Sequence, residues 1–161
     1  MKRLLPIAAL VALLLPSLGT ATTRGMTDGT LSIRDGRGKF TITARGGVIG
    51  SFAKGRVIIT DPVDGDGTGA IVSGDDWHRE RPDGVTDVYG GTRVRFRLIG
   101  GTFKIQVIGR GVNLAVVGRG QVTLNGEGTL DDGSYSINGA DYLSIPSEPF
   151  SFALNALTTS P

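Results

Sequence analysis

The chain has no cysteine and only one histidine among its 161 residues. Without Cys it forms no disulfide, has no thiol nucleophile and cannot be a bacterial lipoprotein. Catalytic zinc sites use several His, Glu or Cys ligands, so a single His argues against zinc chemistry. A Gly-x-Ser-x-Gly motif is also absent, and Phe40 stands where a phosphate-binding loop at 36–39 would need Ser or Thr. We therefore predict no catalytic residues, no cofactor and no enzyme activity.

The chain also lacks an apolar run long enough to span a bilayer, which takes roughly 20 residues. Its longest run, from Leu4 to Leu15, follows Lys2 and Arg3 and precedes the small residues of 19–21. This order is typical of a secretory signal peptide. We expect residues 1–21 to be cleaved after Ala21, leaving a secreted or cell-envelope protein with no transmembrane segment.

The predicted mature chain has a formal net charge of zero. Without Lys2 and Arg3, Lys+Arg falls from 17 to 15, which equals the 15 Asp+Glu. The basic excess of a nucleic-acid-binding protein is therefore missing, and we expect no nucleic-acid partner. About 140 residues remain, enough for one domain with a hydrophobic core.

The chain is rich in glycine, with 26 residues, many of which lie between runs of alternating apolar and polar residues. Alternation with period two predicts strands with one buried face, and no stretch after the signal shows helical periodicity. Glycines at intervals of nine residues indicate tight turns or bulges. We predict an all-β, antiparallel sandwich or barrel of short, hairpin-linked strands, with a short β-solenoid as the alternative. The predicted core comprises Phe40, Ile42, Val57, Ile59, Phe96, Leu98, Phe103, Ile105, Val112, Leu114 and Val122.

The predicted domain, 29–154, contains two similar blocks, 29–60 and 92–125. A gap-free shift of 63 positions brings Gly38, Phe40 and Ile42 onto the identical residues Gly101, Phe103 and Ile105. Such similarity arises either from an internal duplication or from two β segments that acquired the same pattern independently. We expect a polar connector over 61–91, short strands near 135–137, 142–145 and 150–154, a flexible segment over 22–28 and a tail over 155–161.

One segment has the spacing of a metal-binding loop. Counted from Asp64, oxygen-bearing side chains fall at positions 1, 3, 5 and 12, which are Asp64, Asp66, Thr68 and Asp75. This segment resembles the calcium loop of EF-hand and dockerin-like proteins, which implies calcium as a ligand. The final Asp is shorter than the usual Glu, and no helices flank the loop. The alternative is a solvated acidic connector.

Arginines suggest a second candidate site. Arg93, Arg95 and Arg97 alternate with apolar residues, which places them on one face of a predicted strand. Together with the turn arginines Arg37, Arg110 and Arg119, they predict a cationic patch for anionic envelope polymers or lipid head groups. The alternative is an ordinary solvated strand face.

Three function classes follow. The first is an exported, non-catalytic structural or adhesion-type module. The second is a calcium- or carbohydrate-binding module that uses residues 64–75 with Trp77. The third is a small hydrolase that uses carboxylates, although no pair stands out. His78 lies among acidic residues, and we expect it to be an exposed loop histidine.

Overall fold

The computed structural model describes residues 28–63 and 65–155. The predicted signal peptide 1–21, its cleavage site and nearly all of 22–28 lie outside the described residues. The regular secondary structure of these residues is β-strand throughout, with turns and loops between the strands, and they contain no helix that is long and apolar enough to cross a membrane. The strands are β1 Gly29–Thr60, β2 Gly67–Ser73, β3 Trp77–Glu80, β4 Thr86–Gly100, β5 Thr102–Gly126, β6 Ser134–Ile137, β7 Leu143–Ser144 and β8 Phe150–Leu154.

The strands form one open antiparallel sheet in the order β2-β4-β1-β5-β8. In addition, β3 pairs with β4, β6 pairs with β1, and β7 pairs with β6. The sheet does not close into a barrel, and the architecture is sandwich-like. The all-β antiparallel prediction is therefore confirmed. The barrel is not formed, and the antiparallel pairing throughout the described residues differs from the parallel rungs of a β-solenoid.

Two strands are much longer than predicted. β1 has 32 residues and β5 has 25. The glycines at 109–111 and 118–120 lie inside β5, so they do not form hairpin turns. The alternative of a bulge fits 109–111, where the pairing of β1 with β5 shifts register between Gly36 and Gly38. Instead, β1 pairs with different parts of β5 on its two sides, and Phe40 faces both Val107 and Leu124. The long strands thus bend and change partners without reversing direction.

Glycines make those bends. Gly46 has a φ of 151°, and a Cβ there would lie 2.1 Å from the carbonyl oxygen of Val117. Gly55 is similar, with a φ of 157° and 2.3 Å to the oxygen of Ile108. The backbones approach too closely at these points for any side chain. The glycines also pair with one another, in the rows Gly91–Gly55–Gly109–Gly38–Gly126 and Gly46–Gly118–Gly29.

The two similar blocks pair with each other. Ile42 faces Ile105, which is its own counterpart at the offset of 63. Around this pair, residues 39–45 face residues 108–102, so exchanging the two segments leaves the register unchanged. Residues 39–45 and 102–108 thus occupy equivalent positions in the sheet, while the origin of the two blocks by duplication stays a prediction.

The core follows the predicted alternation. All eleven predicted core residues are buried, and they join one hydrophobic cluster that includes Val48, Phe52 and Val94. Phe40 and Phe103 are among its largest fully buried side chains. Because these residues occupy alternate positions, their neighbours form the outer faces on which the candidate sites lie.

The segment 61–91 is more than the predicted connector. It contributes β2 and β3, which cover the free edge of β4 along its C-terminal and N-terminal halves. Their side chains are mostly exposed, which explains the polar sequence. Pairing satisfies backbone groups that an edge strand would otherwise present to solvent. The short strands expected near 135–137, 142–145 and 150–154 correspond to β6, β7 and β8.

Candidate functional site

Of the three arginines predicted to share one strand face, Arg95 and Arg97 lie in a groove on the outer face of the sheet. Val94, Phe96 and Leu98 are buried, so the intervening Arg95 and Arg97 project from the opposite face of β4. The predicted alternation is confirmed here.

A cross-strand row of residues forms the floor of this groove. Ser32 pairs with Ala115, Ala115 with Ile49, Ile49 with Arg97, and Arg97 with Ile71. The small side chains at Ser32 and Ala115 leave a depression of about 500 Å³. We call it the arginine groove, and its lining includes Ser32, Arg34, Ile49, Ser51, Ile71, Arg95, Arg97, Asn113 and Ala115.

The groove is cationic. Its lining contains Arg34, Arg95 and Arg97 but no Asp or Glu. Within the described ranges, no carboxylate oxygen lies within 4.0 Å of Arg95 or Arg97. The Arg34 guanidinium lies 3.9 Å from the centre of the Tyr142 ring, a cation–π geometry. Arg34 is thereby held at one end of the groove, while Arg95 and Arg97 remain available to an anion.

Exposed aliphatic side chains lie on the same face. Ile49 is 63% exposed and Ile71 is 45% exposed, and both line the groove. Ile99 follows Arg97 by two residues and Val117 follows Ala115 by two, so both project from this face, more than half exposed. The face therefore combines guanidinium groups with an apolar surface, a combination that marks interaction sites.

The remaining arginines do not join this surface. Arg93 adopts a φ of 59° where β4 skips a pairing with β1, and it does not line the groove. Arg37 and Arg110 line a separate cavity with Lys54 and Glu127. Arg119 pairs with Asp28 at 3.3 Å. The arginine groove therefore contains only two of the six arginines, and a single cationic patch of all six stays a prediction.

His78 lies in β3 and not in a loop. Its Nε2 donates to the Asp87 carboxylate at 2.7 Å, and its ring stacks on Tyr89 with centroids 4.3 Å apart. Burial raises the pKa of Tyr89, as do the negative charges of Asp87 and Asp75. These contacts hold β3 against β4, which is a structural role.

The predicted calcium residues are differently placed. Asp64 lies outside the described residues. The Asp66 carboxylate accepts hydrogen bonds from the backbone N–H of Thr102 at 3.0 and 3.2 Å. Thr68 is part of β2, and Asp75 follows the far end of that strand. In the described ranges no group of three His, Cys, Asp or Glu side chains is placed to hold a metal ion. Calcium binding at this segment stays a prediction.

Sequence reasoning missed the groove partners Arg34, Ile49 and Ile71. Ile49 carried a signal, because it follows the buried Val48 and is therefore an apolar residue at an outward-facing position. Arg34 and Ile49 lie in β1 and Ile71 lies in β2, and no local sequence pattern shows that the sheet brings these three residues together.

Comparison with protein-family models, with curated proteins and with solved structures finds no match to this chain.

Proposed function

We propose that this chain is an exported, non-catalytic module of adhesion type, and that its arginine groove binds anionic lipid head groups. One observation carries the proposal: Arg95 and Arg97 face a groove of about 500 Å³ that contains no carboxylate. Guanidinium groups form paired hydrogen bonds with phosphate oxygens, which suits them to a phospholipid head group.

A lipid surface fits better than a soluble anionic polymer because of the aliphatic side chains. Ile49, Ile71, Ile99 and Val117 surround the guanidinium groups on the same face. A polymer of charged groups leaves such side chains in water. A bilayer buries them beside the head groups, and burial stabilises binding by about 25 cal/mol per Å² of apolar surface.

Export supports this assignment. The signal-like segment at 1–21 delivers the chain to the compartment where the outer leaflet of a membrane is accessible. We propose no turnover, because acyl transfer needs an activated nucleophile beside a base, and among the described residues no Ser, Thr or Tyr hydroxyl is hydrogen-bonded to His78. The function we propose is attachment at a surface.

Flotation with lipid vesicles tests the proposal. The purified protein should bind vesicles that contain phosphatidylglycerol and not vesicles of phosphatidylcholine, and added salt should weaken binding. Each Arg near an anionic surface contributes about 1 kcal/mol. The double variant Arg95→Gln/Arg97→Gln should therefore bind roughly 30-fold more weakly.

The matched control is Arg37→Gln/Arg110→Gln, which removes the same charge from a different cavity. It should bind vesicles nearly as well as the unmodified protein. Equal losses in the two double variants would mean that net charge and not the groove drives binding. Binding to a soluble anionic polymer but not to vesicles would replace the lipid with the polymer.

A further inference from the structure

A second cationic surface lies on a different outer face. Two adjoining cavities of about 310 and 160 Å³ share Ile58 and Arg81 in their linings. We call this surface the tryptophan cleft, and its lining comprises Arg56, Ile58, Thr60, Trp77, Arg79, Arg81, Thr86, Val88, Lys104 and Gln106. It has no residue in common with the arginine groove, so it stands independently of the proposed function.

Hydrogen bonds to β4 hold β3 in place at both of its ends. The backbone N–H of Asp76 donates to the carbonyl of Gly90 at 2.9 Å, and the Asp76 carboxylate accepts from the backbone N–H of Thr92 at 3.0 Å. Further on, the N–H of Arg81 donates to the carbonyl of Thr86 at 2.8 Å. Trp77, Arg79 and Arg81 occupy alternate positions of this segment and therefore share one face.

The Trp77 ring packs against the backbone at Gly90. A Cβ at Gly90 would fall 2.1 Å from Cζ2 and 2.3 Å from Cε2 of the indole, so the ring occupies the space where a side chain would be. The residue nevertheless remains 47% exposed. An aromatic ring presented in this way is a platform on which the apolar face of a flat ligand can stack.

Cationic side chains surround the platform. Arg56 pairs with Gly90 and thus lies beside the indole, while Arg79, Arg81 and Lys104 extend along the cleft. Neither cavity is lined by Asp or Glu. In the turn between β3 and β4, the Asp83 carboxylate accepts hydrogen bonds from the backbone N–H of Val85 and Thr86 at 3.1 and 2.9 Å. Those hydrogen bonds lower the pKa of Asp83, with a smaller contribution from Arg81.

From these features we propose that the tryptophan cleft binds an anionic polysaccharide built of uronic acids. A sugar ring offers an apolar face to Trp77, and its hydroxyl groups match the polar side chains of Thr60 and Gln106 in the lining. Thr86 is only 4% exposed and its side chain bonds to the Thr60 hydroxyl at 3.0 Å, so it positions Thr60. Its carboxylate matches the paired hydrogen bonds of a guanidinium group. Arg79 in β3 and Arg81 just after it are two residues apart, roughly 6.8 Å along an extended chain, which suits a polymer that carries more than one charge.

Single-stranded nucleic acid is the other anionic polymer with stackable rings. It is bound by several aromatic platforms in succession, along a positively charged groove. The cleft presents one aromatic ring between polar and cationic side chains, so we favour the polysaccharide.

Intrinsic fluorescence provides a direct test, because Trp77 is the only tryptophan in the chain. Titration of the full protein with polygalacturonate oligomers should shift or quench the emission in a saturable way that weakens as NaCl is added. The matched ligand is the methyl-esterified polymer, which has the same backbone without the charge. It should bind at least tenfold more weakly.

Variants locate the site. Arg79→Gln/Arg81→Gln should raise the Kd for polygalacturonate at least tenfold, and Trp77→Ala should weaken binding measured by calorimetry. Arg37→Gln/Arg110→Gln removes the same charge from a separate cavity and should leave this Kd unchanged. Circular dichroism and the unfolding midpoint show whether each variant is folded.

Three results would overturn the proposal: no binding of polygalacturonate at millimolar concentration, equal affinity for the esterified polymer, or equal losses in the two double-arginine variants. Tighter binding of a single-stranded oligonucleotide than of polygalacturonate would also overturn it and would assign the cleft to nucleic acid.

Discussion

The bends in β1 and β5 depend on glycine, and Gly46→Ala tests that dependence. The new Cβ would lie 2.1 Å from the carbonyl oxygen of Val117, where about 3.2 Å is needed. The partner strand must therefore move by about 1 Å, which weakens a ladder hydrogen bond that contributes about 1 kcal/mol. A φ of 151° adds strain, since residues held in such regions cost about 1–3 kcal/mol. Together these terms predict a loss of roughly 2–4 kcal/mol.

Urea unfolding followed by circular dichroism measures this loss, because the midpoint falls while the slope stays constant if the fold is retained. The matched control is Gly69→Ala, since nothing lies within 4 Å of a Cβ there. The control should stay within about 0.5 kcal/mol of the unmodified protein, as surface substitutions do. If Gly46→Ala is as stable as Gly69→Ala, the close backbone approach is wrong.

Five further predictions concern the core, a loop carboxylate, the histidine, calcium and the N-terminus. Phe103→Ala should cost about 3–5 kcal/mol in the same unfolding experiment, because the ring is almost fully buried. Asp132 is desolvated by burial, yet hydrogen bonds from the Thr129 hydroxyl and from the Gly128 and Thr129 N–H groups keep its pKa below the ordinary value. The stability it contributes is thus present above about pH 3.9 and lost as the pH falls further, and Asp132→Asn should abolish that part of the pH dependence. His78→Ala should leave vesicle binding unchanged in flotation. Calcium at millimolar concentration should not raise the Tm of the unmodified protein. The intact mass of the exported protein should equal that of a chain that starts at Thr22. A mass that includes Met1 would contradict cleavage after Ala21.

The local features of the fold could be predicted from the sequence. Alternation of apolar and polar residues depends only on the strand period, so it identified the buried residues such as Phe96 and the outward-facing Arg95 and Arg97. The same pattern does not show which strands pair. The pairing of β1 with β5 joins residues far apart in the chain, and no local signal carries it.

Glycine was the main source of error. A glycine with positive φ occurs in a turn and also in a strand that bends past another backbone. The segments 109–111 and 118–120 therefore predict tight turns or bulges, and the pattern does not distinguish these from bends within β5. The polar residues of 61–91 predict a connector, because an exposed strand at a sheet edge has no buried face and so lacks a strong alternation.

The candidate sites were only partly predictable for the same reason. Arg95 and Arg97 belong to one strand and could be recognised together. Ile49 and Ile71 join them through pairing alone. In the tryptophan cleft, Trp77 and Arg79 belong to β3, whereas Arg56 and Lys104 come from β1 and β5, so the sequence separates residues that the sheet places side by side.

The proposed binding of anionic lipid to the arginine groove is tested most directly by nuclear magnetic resonance. A short-chain phosphatidylglycerol, added below its micelle concentration to the ¹⁵N-labelled protein, should shift the backbone amides of Ser32, Ile49, Ile71, Arg95 and Arg97. The equivalent phosphatidylcholine should leave them unchanged. Shifts confined to other parts of the sheet, or equal shifts with both lipids, would contradict the assignment of this groove as the binding site.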